Sequence, residues 1–510
     1  MLKFINGNII TMQTESDIVE AFVIDKDRII AVGTNKEINE IFIDMPTVNL
    51  KGKTVLPGFN DSHMHMLGLG MNLNQLDLSD TTSIEEIKAR ASEYSKTHEI
   101  VYGRGWNQDH FEENRLLTKE DLDEVSKTKP VILTRICGHL LVANSAAMKL
   151  SNTYNENGIF KESEMEKVKS ILPKVNKKDI QKYLEDASDE LLKNGITSVQ
   201  SDDLSAVNED QHKLVFETFE DMNLNIRVYE QSNFAAYDNY MKYIPNYRQD
   251  KEKNSFFRYG PIKILGDGSL GARTAKLTEP YHDSKDSVGI LNFSQDELNN
   301  IVSLSHERKI DVAIHSIGDQ MLKNALESLN GKKARHSIVH CQVTSKPLLK
   351  ELARQNPVLH IQPVFLNYDM HIAENRLGKE RVKYSYNYKT LENLGLTIAF
   401  GTDSPVEPVN PFFGIYSSTT RKDRQGFPKN GWRPDESISL YNAIKHYTVD
   451  SAYASYDESR KGMIENNFLA DFIILDQNPF TIAPENLLNM KVLKTFVGGV
   501  LRYEYSDKNR

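Results

Sequence analysis

The residues best suited to chemistry in this chain begin with two histidines in the stretch Leu56-Pro57-Gly58-Phe59-Asn60-Asp61-Ser62-His63-Met64-His65. Thr54, Val55 and Leu56 form a strand-like lead-in, and a Pro-Gly bend precedes the two imidazoles. Side chains two apart on a strand share a face, so His63 and His65 can converge on one metal ion. Neutral imidazole is the usual ligand for zinc and its neighbours. The chain carries 14 histidines in 510 residues. At that frequency roughly 0.4 His-x-His triplets arise by chance, so the motif gains weight only from its context.

That context is a series of polar residues at the ends of apolar runs. Lys263 sits in Ile262-Lys263-Ile264-Leu265, ahead of Gly266-Asp267-Gly268-Ser269. His315 precedes Ser316-Ile317-Gly318-Asp319, His340 closes Ser337-Ile338-Val339-His340, and Asp403 lies in Gly401-Thr402-Asp403-Ser404-Pro405. Four histidines and an aspartate form a zinc-type ligand set. A divalent ion lowers the pKa of its bound water from about 15.7 to about 7 and polarises a substrate carbonyl. Asp403 could hydrogen-bond the attacking water, take its proton and pass it to the leaving group. Lys263 is unexpected among ligands, because an ammonium repels a cation. It fits as a salt-bridged or substrate-binding lysine. Alternatively its amine carries CO2 as a carbamate, an oxygen ligand able to bridge two ions about 3.5–4 Å apart.

Eight strand-like runs position these groups. The first ends at His65, and the others cover 197–200, 226–229, 262–265, 311–315, 337–340, 358–361 and 397–400. They alternate with helical patterns, which predicts an α/β fold with a parallel sheet, and eight strands close a (β/α)8 TIM barrel. In that fold catalytic groups come from the carboxyl ends of several strands, which is where the candidates fall. The gap between the first two strands is too long for one crossover, so residues of about 75–185, with helix patterns at Ser83–Thr97 and Lys177–Lys193, read as an insertion over the barrel mouth. Both ends of the chain are β-rich, with a turn at Asp25-Lys26-Asp27 and a hairpin about Gly498-Gly499. The expected organisation is one discontinuous β domain made of residues 1–56 and 459–510, around a barrel at 57–458.

The composition is that of an ordinary globular chain, 39% hydrophobic and 26% charged. The net charge of −9 is spread along the sequence, which argues against a nucleic-acid partner. No apolar run approaches a membrane span, and the first residues do not read as a signal peptide. Two cysteines, Cys137 and Cys341, make no disulfide framework. The expectation is a soluble, cytoplasmic protein that acts on a small molecule.

The ordered series LPGFNDSHMH, RGWNQD (104–109), GHLLVANSAA (138–147), GITSV (195–199), IKILGDGSLGARTA (262–275), HSIGD (315–319), VHCQ (339–342), IQPVF (361–365) and FGTDSPVEPVNP (400–411) resembles the amidohydrolase superfamily. The branch is amidohydrolase family three, which includes N-substituted formamide deformylases. The resemblance runs through Leu469-Ala470-Asp471-Phe472, similar to the family's re-entry into its small β domain. It implies that His63 and His65 bind the buried metal, that Lys263 is a bridging carboxylated lysine, that His315 and His340 bind a second metal, and that Asp403 is the catalytic base and a ligand. It also implies a urease-like β-sandwich for the termini and a homodimer. Two positions depart from the pattern. Val339 precedes His340 where the family usually has Glu, which would weaken the support of that ligand. Cys137 stands where an acidic or small polar residue is common.

Several residues carry two readings. His139 and Trp106 could contact substrate or simply pack, and Trp106 in a Gly-rich turn would suit a lid. Arg273 and Asp267 could meet ligand or brace the loop after the fourth strand. Gln362 is the better rim candidate than His360, which is expected in the barrel wall. His306, His336 and His446 read as structural, and Cys341 as a small buried apolar residue. The reading that follows is a divalent-metal hydrolase, with one or two zinc ions, acting on a carbon–nitrogen bond other than a peptide bond, an amide or N-formyl group foremost. Alternatives are a deaminase or cyclic-amide hydrolase on the same scaffold, a metal-dependent isomerase or decarboxylase, and a non-catalytic scaffold.

Overall fold

The computed structural model describes residues 1–108, 111–136, 138, 140–161, 163–252 and 256–506. These fall into two compact units, Leu67–Ala187 and the remainder. The larger unit contains an eight-stranded parallel sheet. Its strands, labelled β1 to β8 in chain order, are Phe59–Met64, Ile196–Ser201, Arg227–Asn233, Phe257–Leu265, Val312–Ser316, Ser337–His340, Val358–Ile361 and Ile398–Phe400. Each pairs with its sequence neighbour. All eight coincide with the runs read from the sequence. Val, Ile and Leu dominate the buried positions, as expected for strands covered on both faces.

The seam between β8 and β1 is joined just past the strand ends. Asp403 N donates to the His63 carbonyl at 2.8 Å and His65 N to the Ser404 carbonyl at 2.8 Å. The Asp61 carboxylate reinforces it, accepting from Thr402 N (3.0 Å), Thr402 Oγ1 (2.5 Å) and His63 N (3.2 Å). A Cβ on Gly401 would stand 2.6 Å from His63 N, so only glycine permits this approach. The sheet is thus a TIM-type barrel in which the closure falls beside the two candidate ligands of β1.

Two further sheets draw on the chain ends. Arg28–Gly33, Ala21–Asp25, Leu2–Ile5 and Thr47–Asn49 form a four-stranded sheet in that order. A six-stranded sheet combines Asn8–Ile10, Ile18–Val19 and Thr54–Pro57 with the C-terminal strands Phe472–Leu475, Val492–Val497 and Val500–Glu504. Aromatic side chains of both interleave. Phe4 stacks on Phe22 at 4.6 Å, Phe472 on Phe496 at 4.5 Å, and Phe4 meets Phe472 edge-on at 5.2 Å. The expected hairpin turn is present, with positive φ at Gly498 (58°) and Gly499 (71°), as a two-residue turn of this twist requires.

In Leu67–Ala187 the helices Ile84–Ser95 and Lys177–Lys193 match their sequence patterns. A five-stranded sheet accompanies them, ordered Ile159–Lys161, Leu140–Ala143, Val131–Arg135, Val101–Trp106, Leu76–Asp77. The helix-patterned reading of this segment missed it, because apolar runs as short as Val131-Ile132-Leu133 carry no period that separates a strand from a buried helix.

One buried ion pair ties the barrel to the terminal sheet. Arg227 at the start of β3 donates to Asp471 from Nε (2.7 Å) and Nη2 (3.1 Å). Asp471 also accepts from Gly498 N (2.7 Å), and its carbonyl receives Gly58 N (3.0 Å) at the passage into β1. Removing one partner strands a buried charge. Asp471→Ala should therefore lower unfolding stability by about 3–5 kcal/mol, read as a shift in the urea midpoint. The paired apolar replacement Arg227→Met with Asp471→Leu should recover at least half of that loss.

Candidate metal centre

The carboxyl rim of the barrel gathers the residues expected there. His65 Nε2 lies 3.1 Å and His63 Nε2 3.5 Å from Asp403 Oδ1. Among the described residues these three form a group able to hold a metal ion, with ligand atoms within 4.8 Å of one another. Lys263 Nζ is 3.2 Å from His63 Nε2 and 3.2 Å from Asp202 Oδ2. On the next strands His340 Nε2 stands 3.0 Å from His315 Nδ1. All six candidates thus share one rim.

Strand alternation alone does not deliver this. Lys263 and Leu265 face the barrel interior, and Leu265 pairs in register with His315, so Lys263 and His315 share a face. Register pairs His315 with Val339, however, not with His340. Left-handed backbone at His340 (φ 76°) and Cys341 (φ 49°) turns the imidazole inward. Asp403 has φ 58°. Such conformations cost about 1–3 kcal/mol each for residues with a side chain and concentrate at functional sites.

The second nitrogen of each imidazole fixes its tautomer. His65 Nδ1 is 2.7 Å from the Asp202 carbonyl, which can only accept. His63 Nδ1 is 2.8 Å from Gln231 Oε1, and Gln231 Nε2 in turn donates to the Ser62 carbonyl at 3.1 Å. His340 Nδ1 is 2.7 Å from Gln362 Oε1, and Gln362 Nε2 donates to the His360 carbonyl at 3.3 Å. His315 Nε2 lies 3.2 Å from the Gly268 carbonyl. Each outer nitrogen therefore carries the proton, and in the neutral ring each inner nitrogen is left as the acceptor that a metal ion needs. His315 and His340 face each other lone pair to lone pair, which a shared cation would relieve, while His63 Nε2 has the Lys263 ammonium at 3.2 Å and His65 Nε2 the Asp403 carboxylate at 3.1 Å. The donor set fits a divalent metal.

Burial keeps three of the rings neutral, as ligands must be. It holds His63 and His340 well below the ordinary imidazole range and His315 down at about 3. At His65 burial also opposes charge, but the Asp403 hydrogen bond and charge outweigh it and raise the ring to about 9. Asp267 pins the loops that carry His315: its carboxylate accepts from Ile317 N (3.1 Å), Gly318 N (2.9 Å) and Lys276 N (2.8 Å).

The residues expected to touch substrate fare differently. Trp106 does not sit in a lid turn. It ends a strand of the smaller unit, is fully buried in that unit's apolar cluster, and donates its indole N–H to the Leu133 carbonyl at 3.1 Å. Arg273 forms a forked pair with Asp283 (3.1 and 2.9 Å), which Arg376 also meets. Gln362 is turned to His340 and supplies the support that Val339, an interior apolar residue, does not. His139 and Cys137 lie outside the described residues. Sequence reasoning missed Gln231 and Asp202. The only signal for either was its place at the end of a barrel strand.

Comparison with known proteins shows the family. Residues 46–503 match the Amidohydrolase family. YtcJ of Bacillus subtilis (strain 168) is 32% identical over 98% of this chain and 99% of its own. The N-substituted formamide deformylase of Arthrobacter pascens is 24% identical over 99% of this chain and 98% of its own. The crystal structure of a metal-dependent hydrolase from Pyrococcus furiosus superposes with a TM-score of 0.79 at 31% identity, covering 94% of this chain and all of that one. By the family match, the barrel and the likeness to metal-dependent hydrolases over nearly the whole chain, the chain belongs to the amidohydrolase family and is a hydrolytic enzyme.

Proposed function

We propose that the enzyme hydrolyses a carbon–nitrogen bond other than a peptide bond, and that the substrate is an amide, foremost an N-substituted formamide. The observation that carries this is the convergence of His63, His65 and Asp403 on one rim, with ligand atoms within 4.8 Å of one another. The likeness to the Arthrobacter pascens deformylase over nearly the whole of both chains supports the formyl substrate. In this reading His63, His65 and Asp403 would hold one ion and His315 and His340 a second, and Lys263, if carboxylated, would supply a further oxygen ligand. Zinc is the metal that this imidazole-rich donor set suits. The enzyme acts in the cytoplasm, as a homodimer.

Bound metal supplies an acidified water and a Lewis-acid contact for the substrate carbonyl. The chain's own groups do the rest. Asp403 is fixed from both sides, its backbone N–H on the His63 carbonyl and its Oδ1 beside His65. It is placed to accept the proton that the attacking water loses and to return it to the departing nitrogen. One water is consumed, a C–O bond replaces the C–N bond, and an amine and formate leave. Gln231, Gln362 and the Asp202 carbonyl hold the imidazoles in the ligating tautomer throughout. Asp202, paired with the Lys263 ammonium, would lose that partner on carbamate formation.

Three measurements test the assignment. Asp403→Asn should lower kcat by about 10²–10⁴-fold while elemental analysis finds its metal content unchanged; an active variant removes Asp403 from the base role. Protein purified without chelator should hold about two divalent ions per chain, and Lys263→Ala should bring that ratio to one or below. Gln362→Leu should weaken metal binding about 10–100-fold, measured by competition with a chromophoric chelator, with the fold intact by circular dichroism.

A further inference from the structure

A cavity of about 650 Å³ opens on the carboxyl rim, walled by Leu204, Val207, Phe234, Leu265 and Phe293, with His212 at its side. Its volume is that of a small-molecule pocket. The register of β4 fixes its relation to the metal-type cluster. Leu265 lies two residues beyond Lys263 on one strand and so shares its inward face. Asn233, also on the cavity wall, is the register partner of Lys263. The Tyr240 hydroxyl stands 2.8 Å from Asn233 Oδ1 and 2.7 Å from the Lys263 carbonyl. Leu204 follows Asp202, the partner of Lys263, by two residues. The cavity begins where the ligand rim ends.

Its polar groups are largely engaged. Glu209 accepts from Tyr243 (3.0 Å) and Asn239 (2.9 Å), Glu297 from Ser294 N and Oγ (both 2.8 Å), and Asn292 donates to the Leu265 carbonyl (2.9 Å). His212 is the exception. It is only 6% exposed, and its Nδ1 is the one buried side-chain polar atom of this lining with no partner among the described residues. Burial opposes charge on the ring despite the nearby Glu209, and with Nδ1 unpartnered the ring's hydrogen bond to the Leu204 backbone falls to Nε2. Nδ1 is therefore an acceptor waiting for a donor, an arrangement that costs free energy until one arrives. No lysine or arginine is among the described lining residues, so nothing there would neutralise an anionic ligand.

We propose that this cavity binds the substituent on the scissile nitrogen of the substrate, and that it takes an uncharged, ring-sized apolar group presenting one O–H or N–H donor to His212 Nδ1. The inference rests on the formamide reading, in which the acyl side carries only hydrogen and the nitrogen side carries all variation in size. Leu265 then stands between the metal-type cluster and the cavity, where the first atoms of the substituent would pass.

Calorimetric titration of the metal-loaded protein with 4-ethylphenol, with 4-ethylanisole, which lacks the donor, and with anionic 4-ethylbenzoate reads the cavity without turnover. Hydrolysis of N-formyltyramine and of N-methylformamide reads it through the reaction. 4-Ethylphenol should bind about tenfold more tightly than either analogue. Val207→Trp, which fills the space from a half-buried position, should weaken 4-ethylphenol at least tenfold and lower kcat/KM for N-formyltyramine by a similar factor. It should leave N-methylformamide within about twofold, since that substrate does not reach the cavity. His212→Phe should abolish the preference for the hydroxyl. The proposal is overturned if Val207→Trp changes neither 4-ethylphenol binding nor N-formyltyramine turnover, or if 4-ethylbenzoate binds as well as 4-ethylphenol. If no formamide is hydrolysed yet 4-ethylphenol binding still depends on Val207 and His212, the ligand class of the cavity stands and the reaction assignment falls.

Discussion

Closure of the barrel between its first and last strands is the constraint on which the site depends. His63 and Asp403 lie more than three hundred residues apart, and no local propensity brings them together. What does is a short seam of hydrogen bonds: Asp61 on the Thr402 and His63 amides, Asp403 N on the His63 carbonyl, and His65 N on the Ser404 carbonyl. The seam and the ligands are the same residues. A perturbation that opens the barrel at this point therefore also disturbs the metal-type cluster, and Gly401, which admits no side chain against His63, supports the site as directly as the seam bonds do.

The cluster is also a problem in hydrogen-bond accounting that the chain solves on one side only. Carbonyl and amide oxygens behind each imidazole consume its outer proton, and burial removes the inner one from His63, His315 and His340. Protein interiors seldom tolerate lone pairs in opposition. Two imidazole nitrogens 3.0 Å apart with no proton between them are stable only with a cation, so the metal requirement follows from the acceptors behind the ring as much as from the histidines. His65 is different. The Asp403 carboxylate gives it an alternative partner, and it can exchange a metal for a proton without leaving an unpaired group.

Much of this was legible in the sequence, for a definite reason. Parallel strands buried on both faces read as apolar runs, and the barrel puts its chemistry at their ends, so His63, His65, His315, His340 and Asp403 could be named from run and terminus, whereas a ligand role for Lys263 came only from the family resemblance. What the sequence hid depends on single dihedrals and single contacts. Alternation would point His340 away from its partner, and only the left-handed backbone at His340 and Cys341 reverses that. Gln362 reads as a rim residue open to substrate, yet its amide oxygen is committed to His340. Trp106 reads as a lid residue because glycines flank it, but the Leu133 carbonyl offers its indole N–H a buried partner. The sheet of the smaller unit stayed hidden because its strands are too short to show a period.

In the proposed function, chemistry and recognition fall to different parts of the same rim. The ends of β1, β4, β5 and β6 and the turn after β8 carry the titratable groups and candidate ligands, each tied to its neighbours by hydrogen bonds that leave little freedom. The segments after β2 and β3, and the one after β4 beyond Lys263, present leucine, valine and phenylalanine around a cavity whose carboxylates are already satisfied. Such surfaces tolerate substitution, because changing Val207 or Phe293 alters volume without unpairing a charge, whereas changing Gln231 or Asp267 would. Substrate choice can therefore vary among chains that keep the same metal chemistry, and family membership by itself fixes the reaction class more tightly than the substrate.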